Sequence, residues 1–281
     1  MKHLIESIRS AKNMSQEEFA SILGTTTSTI DDWESGKSEP DFSAQVKLHT
    51  LCKDGKINVS QPILDNRTYK PKGNDIVLYH GSKKGINGEI APISREKCDF
   101  GRGFYMGTDV LQALTLICNE ENPRFYTVKL DLTGLKVLKV DINMDWAMLI
   151  AYHRGEMEDA EGTPIYEKYA NMSKDYDVVV GYIANNRMYT VLSSFFNGTL
   201  TDVALIHCLS ALNLGKQYVA ISQKACKQIE ILKEETLSQL ELALLRDMSA
   251  ERRVEGVKIA KKIEIEYRRE GRYFDELLRG D

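Results

Sequence analysis

The chain has 281 residues, of which 28% are charged and 42% hydrophobic, and its net charge is −4. That length holds one large domain or a small one beside a medium one, with the composition of an ordinary globular protein. It carries no global basic field to advertise a nucleic-acid partner, and no apolar run approaches the ~20 residues that cross a bilayer.

Met1-Lys2-His3-Leu4-Ile5-Glu6 lacks the pattern of a signal peptide. Five scattered cysteines (Cys52, Cys98, Cys118, Cys208, Cys226) without C-x-x-C spacing argue against a disulfide frame or a zinc site. A reduced, cytoplasmic setting without a metal is the expectation.

Residues 1–54 read as short helices divided by turn signals. Ser15-Gln16-Glu17-Glu18 is a capping box opening a helix with Phe19, Ala20, Ile22 and Leu23 on its apolar face. Gly24 ends that helix, Thr26 caps the next, Ile30 and Trp33 share its inner face, and Gly36 and Pro40 break the chain. Helix, tight turn and helix at this spacing make a helix-turn-helix. The run Ser15–Ala20, then Leu23-Gly24, then Ser28-Thr29-Ile30, Trp33-Glu34, Gly36-Lys37 and Pro40 resembles the phage-repressor-like family closely.

In such folds the second helix enters the major groove, which would set Thr27, Ser28, Asp31 and Asp32 toward bases or phosphates. Residues 1–52 hold five basic and eight acidic side chains, so the module makes few phosphate contacts by itself. DNA binding, strengthened by dimerisation, and a protein-contact role both stay open.

Residues 55–74 collect Gly55, Pro62, Pro71 and Gly73 and read as a linker or a loosely packed wrap. From residue 75 to 232, strand patterns at Ile76–His80, Phe125–Leu132, Leu135–Val140, Val178–Val180 and Tyr218–Ser222 are interspersed with helical ones. The helical stretches are Asp109–Leu116, Asp145–His153, Thr201–Leu212 and Lys224–Leu232. Without a repeating βαβ unit this predicts a mixed α+β domain. Residues 233–281 predict a helical tail with Leu237, Leu240, Leu244 and Met248 on one face, interrupted at Gly256 and Gly271. Packing or self-association, a neutralising protein and substrate RNA are the partners such a face would fit.

Two segments carry the chemistry. Leu78-Tyr79-His80-Gly81-Ser82 followed by Phe100-Gly101-Arg102-Gly103-Phe104-Tyr105 resembles the ADP-ribosyltransferase superfamily, in its diphtheria-toxin and poly(ADP-ribose) polymerase branch. A small bacterial group shares the Asp99–Tyr105 stretch and the downstream Asp175-Tyr176-Asp177-Val178-Val179-Val180-Gly181. The resemblance implies that NAD is the co-substrate. His80 would bond a ribose hydroxyl, the Gly81 backbone would bond the carboxamide, and Tyr105 would stack on the nicotinamide ring. Ser82 or Arg102 would engage the ring amide or the pyrophosphate.

Gln217 stands at the position where this branch usually carries a glutamate. A second aromatic, usual one helix after Tyr105, is replaced by Leu116 and Ile117, which implies single transfer rather than polymer building. Asp177 and Asn185-Asn186-Arg187 are further residues that would reach the slot, although Asp175 and Asp177 read equally well as turn residues. His49, His153 and His207 show no ligand spacing. The implied function is mono-ADP-ribosylation of a protein or nucleic acid by a toxin or phage-defence effector. The alternative is a helix-turn-helix regulator whose second domain senses NAD or binds a partner without turnover.

Overall fold

Local signals build the N-terminal helices. The structure, a computed structural model, describes residues 1–183, 186–211 and 215–279, apart from the side chains of residues 2 and 186–189. It begins with α1 (Lys2–Ala11), α2 (Gln16–Leu23), α3 (Thr27–Ser35), α4 (Phe42–Gly55) and α5 (Ser60–Arg67). Ser15 Oγ accepts from the Glu18 N–H at 3.1 Å, while the Glu18 carboxylate accepts from the Ser15 N–H at 2.8 Å. Gly24 and Gly36 then end α2 and α3 at φ of 71° and 82°, where a side chain would be strained. Phe19, Ile30 and Trp33 turn inward, and Arg9 of α1 forks onto Glu34 of α3 at 2.7 and 3.1 Å. The helix, tight turn and helix read from the sequence are thus present.

The expected linker at 55–74 contains α5. Pro62 sits in its first turn, where no helical N–H is needed, and Ile63 and Arg67 are buried. Burial against neighbouring helices decides what the weak local periodicity could not.

The second region contains β1 (Ile76–Ser82), β2 (Phe104–Gly107), α6 (Val110–Ile117), β3 (Arg124–Leu130), β4 (Val137–Lys139), α7 (Met144–Arg154), α8 (Pro164–Met172) and β5 (Val178–Tyr182). It continues with α9 (Asn186–Phe196), α10 (Asp202–Ala211), β6 (Lys216–Ala220), α11 (Gln223–Cys226) and β7 (Ile229–Thr236). The last helices are α12 (Gln239–Tyr267) and α13 (Phe274–Arg279). Among the described residues the strands form one seven-stranded sheet in the order β4-β5-β6-β2-β1-β3-β7. β4 and β5 run parallel and the other neighbours antiparallel, so the chain is α+β overall.

The helix expected over Lys224–Leu232 is only the short α11. Ile229 onward instead forms β7, which pairs with β3 along its whole length. The Lys- and Glu-rich composition favours helix, but pairing with the otherwise open edge of β3 outweighs that preference.

Three apolar clusters surround the sheet. One joins the N-terminal helices to α6, Tyr79, Phe125 and the first half of α12. A second packs α7, α9, α10, α13 and the second half of α12 on Phe100, Val179 and Val219. The third covers the opposite face with Leu78, Phe104, Met106, Tyr126 and Val128. The tail helix α12 runs unbroken through Gly256, which is buried, and spans both halves of the molecule. The break expected there is absent, and the chain turns only at Gly271, ahead of α13.

The helix-turn-helix is therefore welded to the sheet domain. His49 meets Asp247 at 2.7 Å, the Gln45 side chain accepts from the Leu240 N–H at 2.9 Å, and Arg246 donates to the Cys118 carbonyl at 2.8 Å. Among the described residues no helix is long and apolar enough to cross a membrane.

Candidate functional site

β1 lies between β2 and β3 but is not equally bound to them. It pairs with β3 from Ile76 to Ser82, yet shares only the register pair Tyr79↔Gly107 with β2. Beyond that pair the two strands part. Continuing the register would set Gly81 opposite Tyr105, and the His80 imidazole reaches across the gap to the Tyr105 carbonyl at 2.7 Å. A carbonyl only accepts, so Nδ1 carries the proton and Nε2 is left as an acceptor. Burial pushes the His80 imidazole below its ordinary range, so this neutral tautomer is favoured. The ring is steadied by stacking on Phe104, with centroids 4.3 Å apart.

The gap opens into a cleft of about 510 Å³ whose walls include His80, Gly81, Tyr105, Gly107, Gln112 and Gln217. Gly81 has a packing reason to lack a side chain. A Cβ there would lie 2.6 Å from the Ala113 carbonyl and 2.8 Å from Ile117, so only glycine lets α6 approach β1. Tyr105 is oriented by its hydroxyl, which accepts from the Phe100 N–H at 3.0 Å and donates to the Gly101 carbonyl at 2.7 Å. Burial raises the phenol well above its ordinary value, so it stays protonated. The turn it stitches needs Gly101, at φ 72°, where a Cβ would approach His153 to 2.8 Å.

Gln217 arrives from β6. The pairs Gly107↔Gln217 and Gly181↔Gln217 flank it with two glycines on the neighbouring strands. It is 4% exposed, and its Nε2 donates to the Tyr182 carbonyl at 3.0 Å and to Asp99 Oδ2 at 3.3 Å. Asp99 Oδ1 takes Arg154 Nη2 at 2.6 Å and Nε at 3.2 Å. Asp99 and Arg154 also line the cleft, as do Arg95 and Lys97. The sheet thus gathers His80, Gly81, Tyr105 and Gln217, distant in sequence, into one space.

Other expected residues are spent elsewhere. Ser82 donates to the Gly85 carbonyl at 3.0 Å, and Arg102 pairs with Glu96 on the surface. Neither is among the described residues lining the cleft, where the basic residues are Arg95, Lys97, paired with Glu158 at 3.1 Å, and Arg154, paired with Asp99. Asp177 accepts from the Lys136 N–H at 2.9 Å and the Ser222 hydroxyl at 2.7 Å, tying strands together as a turn residue. Of Asn185-Asn186-Arg187, the first residue and the side chains of the other two lie outside the described residues. Leu116 rims the cleft at 61% exposure, while Ile117 is buried beside Gly81. Among the described residues no three His, Cys, Asp or Glu side chains gather as a metal site.

On the helix-turn-helix, Thr27, Ser28 and Asp31 are exposed and Asp32 is half-buried, all on α3. Lys37 lies 3.8 Å from Asp31 and 3.3 Å from Asp32, partly neutralising the two carboxylates that oppose DNA.

Sequence reading missed Asp99, Gln112 and Arg154. Asp99 sat inside the quoted Asp-Phe-Gly stretch, whereas nothing local marked Arg154, which only the α7 packing brings near. Gln112 is buried, and its Nε2 has no hydrogen-bond partner. A second buried group without a partner is His153 Nε2. Burial pushes the His153 imidazole down to about 4, against the pull of Asp99. The unfolded chain therefore takes up this proton first as pH falls, and folding stability drops from about pH 6.5 downward. Urea unfolding of His153→Phe should lose that part of the acid sensitivity.

Residues 76–231 match the family model described as "Protein of unknown function (DUF3990)", and residues 5–49 match the model described as "Helix-turn-helix". No curated protein and no solved structure matches the chain. With more than half of its length matched, the chain belongs to the DUF3990 family and carries a helix-turn-helix domain ahead of that region.

Proposed function

We propose that the chain is a mono-ADP-ribosyltransferase that splits nicotinamide from NAD and passes ADP-ribose to a macromolecular acceptor, protein or nucleic acid. The observation carrying this reading is the meeting of His80, Gly81, Tyr105 and Gln217 around the parting of β1 and β2. A flat aromatic ring slides into such a gap. Tyr105 offers it a face, and the bare backbone of Gly81 offers its carboxamide hydrogen bonds in plane. His80 Nε2 accepts from a ribose hydroxyl. Arg95, Lys97 and Arg154 give the pyrophosphate cationic neighbours.

The ring nitrogen of NAD is already cationic, so the C1′–N bond breaks with its electron pair going to nicotinamide, a neutral leaving group. No general acid is needed. What the site supplies is a fixed, bent NAD and stabilisation of the ribosyl cation. An acceptor nucleophile then bonds C1′ and gives up its proton.

The unpartnered Gln112 amide fits a ligand site, because a buried donor left unpaired costs about 1–3 kcal/mol in the free protein. Gln112→Leu is expected to raise the melting temperature of the ligand-free chain and to weaken NAD binding roughly tenfold, about 1.4 kcal/mol. Calorimetric titration and thermal unfolding check the two effects together.

Adenylate-labelled NAD incubated with the full chain and a bacterial lysate tests the activity. Transfer of label to material sensitive to protease or to nuclease is the expected result and identifies the acceptor class. Absence of both transfer and nicotinamide release would sink it.

The helix-turn-helix favours a second reading, a DNA-binding regulator whose sheet domain senses NAD. Its helices share one apolar cluster with α6, through α5 and α12, and α6 contributes Gln112, Ala113 and Leu116 to the cleft. NAD binding without turnover, together with an operator footprint that NAD alters, would favour this reading. An effector that represses its own promoter combines both, and that is the setting of a toxin or phage-defence protein.

A further inference from the structure

A glutamine where the reaction benefits from negative charge needs a physical explanation, and the neighbouring side chains provide one. The Gln217 amide has two N–H bonds to place, and two obligate acceptors stand beside its nitrogen: the Tyr182 carbonyl at 3.0 Å and Asp99 Oδ2 at 3.3 Å. An amide turned the other way would set its oxygen against both. The orientation is therefore dictated, and Oε1 is the polar atom left to accept a hydrogen bond in the cleft. Asp99 is itself anchored. Arg154 holds Oδ1 through two nitrogens, Oδ2 accepts from Gln217, and the side chains of Asp99 and Arg154 are 13% and 14% exposed.

We infer that Asp99 is a positioning residue for the transferase site, fixing Gln217 as a hydrogen-bond acceptor and standing in for the carboxylate that Gln217 lacks. The inference rests on the ADP-ribosyltransferase reading. In the ground state Gln217 Oε1 accepts from a ribose hydroxyl. As C1′ loses nicotinamide and becomes cationic, that hydroxyl grows more acidic and the bond strengthens. The Asp99 carboxylate polarises the amide through its N–H, making Oε1 a better acceptor in a site of low dielectric. No proton or electron leaves the chain in this step. The charge on Asp99 serves through the amide rather than by touching NAD.

The test relocates one carboxylate across one hydrogen bond. Asp99→Asn, Gln217→Glu and the double variant are compared with the parent by nicotinamide release at saturating and limiting NAD across pH, and thermal unfolding confirms that each folds. Asp99→Asn is expected to lower kcat about 10²-fold while leaving KM for NAD within about threefold, the mark of an interaction made in the transition state. Gln217→Glu alone places two carboxylates side by side, so one must hold a proton, and its activity profile should move to higher pH on the acid limb. The double variant restores a single carboxylate and should recover at least about a tenth of parental kcat.

Release by the parent with Asp99→Asn equally active overturns the inference alone. So does a folded double variant no more active than Asp99→Asn, since Asp99 would then be structural. No release by the parent overturns the transferase reading and this inference with it.

Discussion

Replacing His80 by phenylalanine is expected to cut kcat/KM for nicotinamide release by about 10²–10³-fold, the scale of losing one preorganised hydrogen-bonding group in a closed site. Phenylalanine keeps a ring of similar size against Phe104, so the packing of β1 survives. What disappears is the pair of nitrogens. One holds the Tyr105 carbonyl across the parting of the strands, and the other is the acceptor proposed for the ribose hydroxyl. Stability should fall by about 1–3 kcal/mol, because the Tyr105 carbonyl loses its partner.

The parent makes a matching pH prediction. Burial holds the imidazole below its ordinary range, so Nε2 stays an acceptor through neutral pH. Activity is lost only as pH falls through that depressed value, below the ~6.5 of a free histidine, because a protonated ring has no acceptor to offer. Loss of activity beginning above pH 7 would contradict the assignment.

The second large effect concerns stability. Arg67, at 8% side-chain exposure, donates to Glu241, at 5%, across 2.6 Å, and also meets Glu235 at 3.2 Å and the Thr236 carbonyl at 3.0 Å. Burial alone would raise the Glu241 carboxyl, but the charge and hydrogen bonds of Arg67 hold it below the usual range. Arg67→Met leaves the buried Glu241 carboxylate without its cation, while Glu235 keeps Lys233 at 2.8 Å, and should cost about 3–5 kcal/mol in denaturant unfolding. Arg67→Met combined with Glu241→Met should recover part of that loss, since an apolar pair of similar volume replaces the ions, while the Ser238 N–H loses its capping acceptor. A single-variant loss below about 1 kcal/mol would show that the bond between α5 and α12 is not what joins the two regions.

The same geometry predicts that the helix-turn-helix and the sheet domain unfold together, because they share one core.

Sequence carried the parts of this fold that local chemistry dictates. The capping box at Ser15 and the left-handed glycines at 24 and 36 are readable because their cause lies within a few residues. The α5 and β7 segments were not, since a helix in a Pro- and Gly-bearing stretch and a strand in a Lys- and Glu-rich one both depend on what they pack against. α6 offered a signal that went unused. It buries Val110, Leu111, Gln112, Ala113, Leu114 and Ile117, nearly all round, as a helix does when both sides are covered.

The site divides similarly. His80, Gly81 and Tyr105 stood in recognisable segments, and Gln217 could be placed against them by resemblance. Asp99 and Arg154 meet through a contact between a loop and the end of α7, which no spacing encodes. Arg102 was implied by the same resemblance, but its side chain lies at the surface against Glu96.

A crystal structure of the full chain with nicotinamide tests the central claim most directly. The ring is expected against Tyr105, with its carboxamide bonded to the Gly81 backbone between α6 and Gln217. Nicotinamide bound elsewhere on the molecule, or no density in the cleft at saturating concentration, would contradict it.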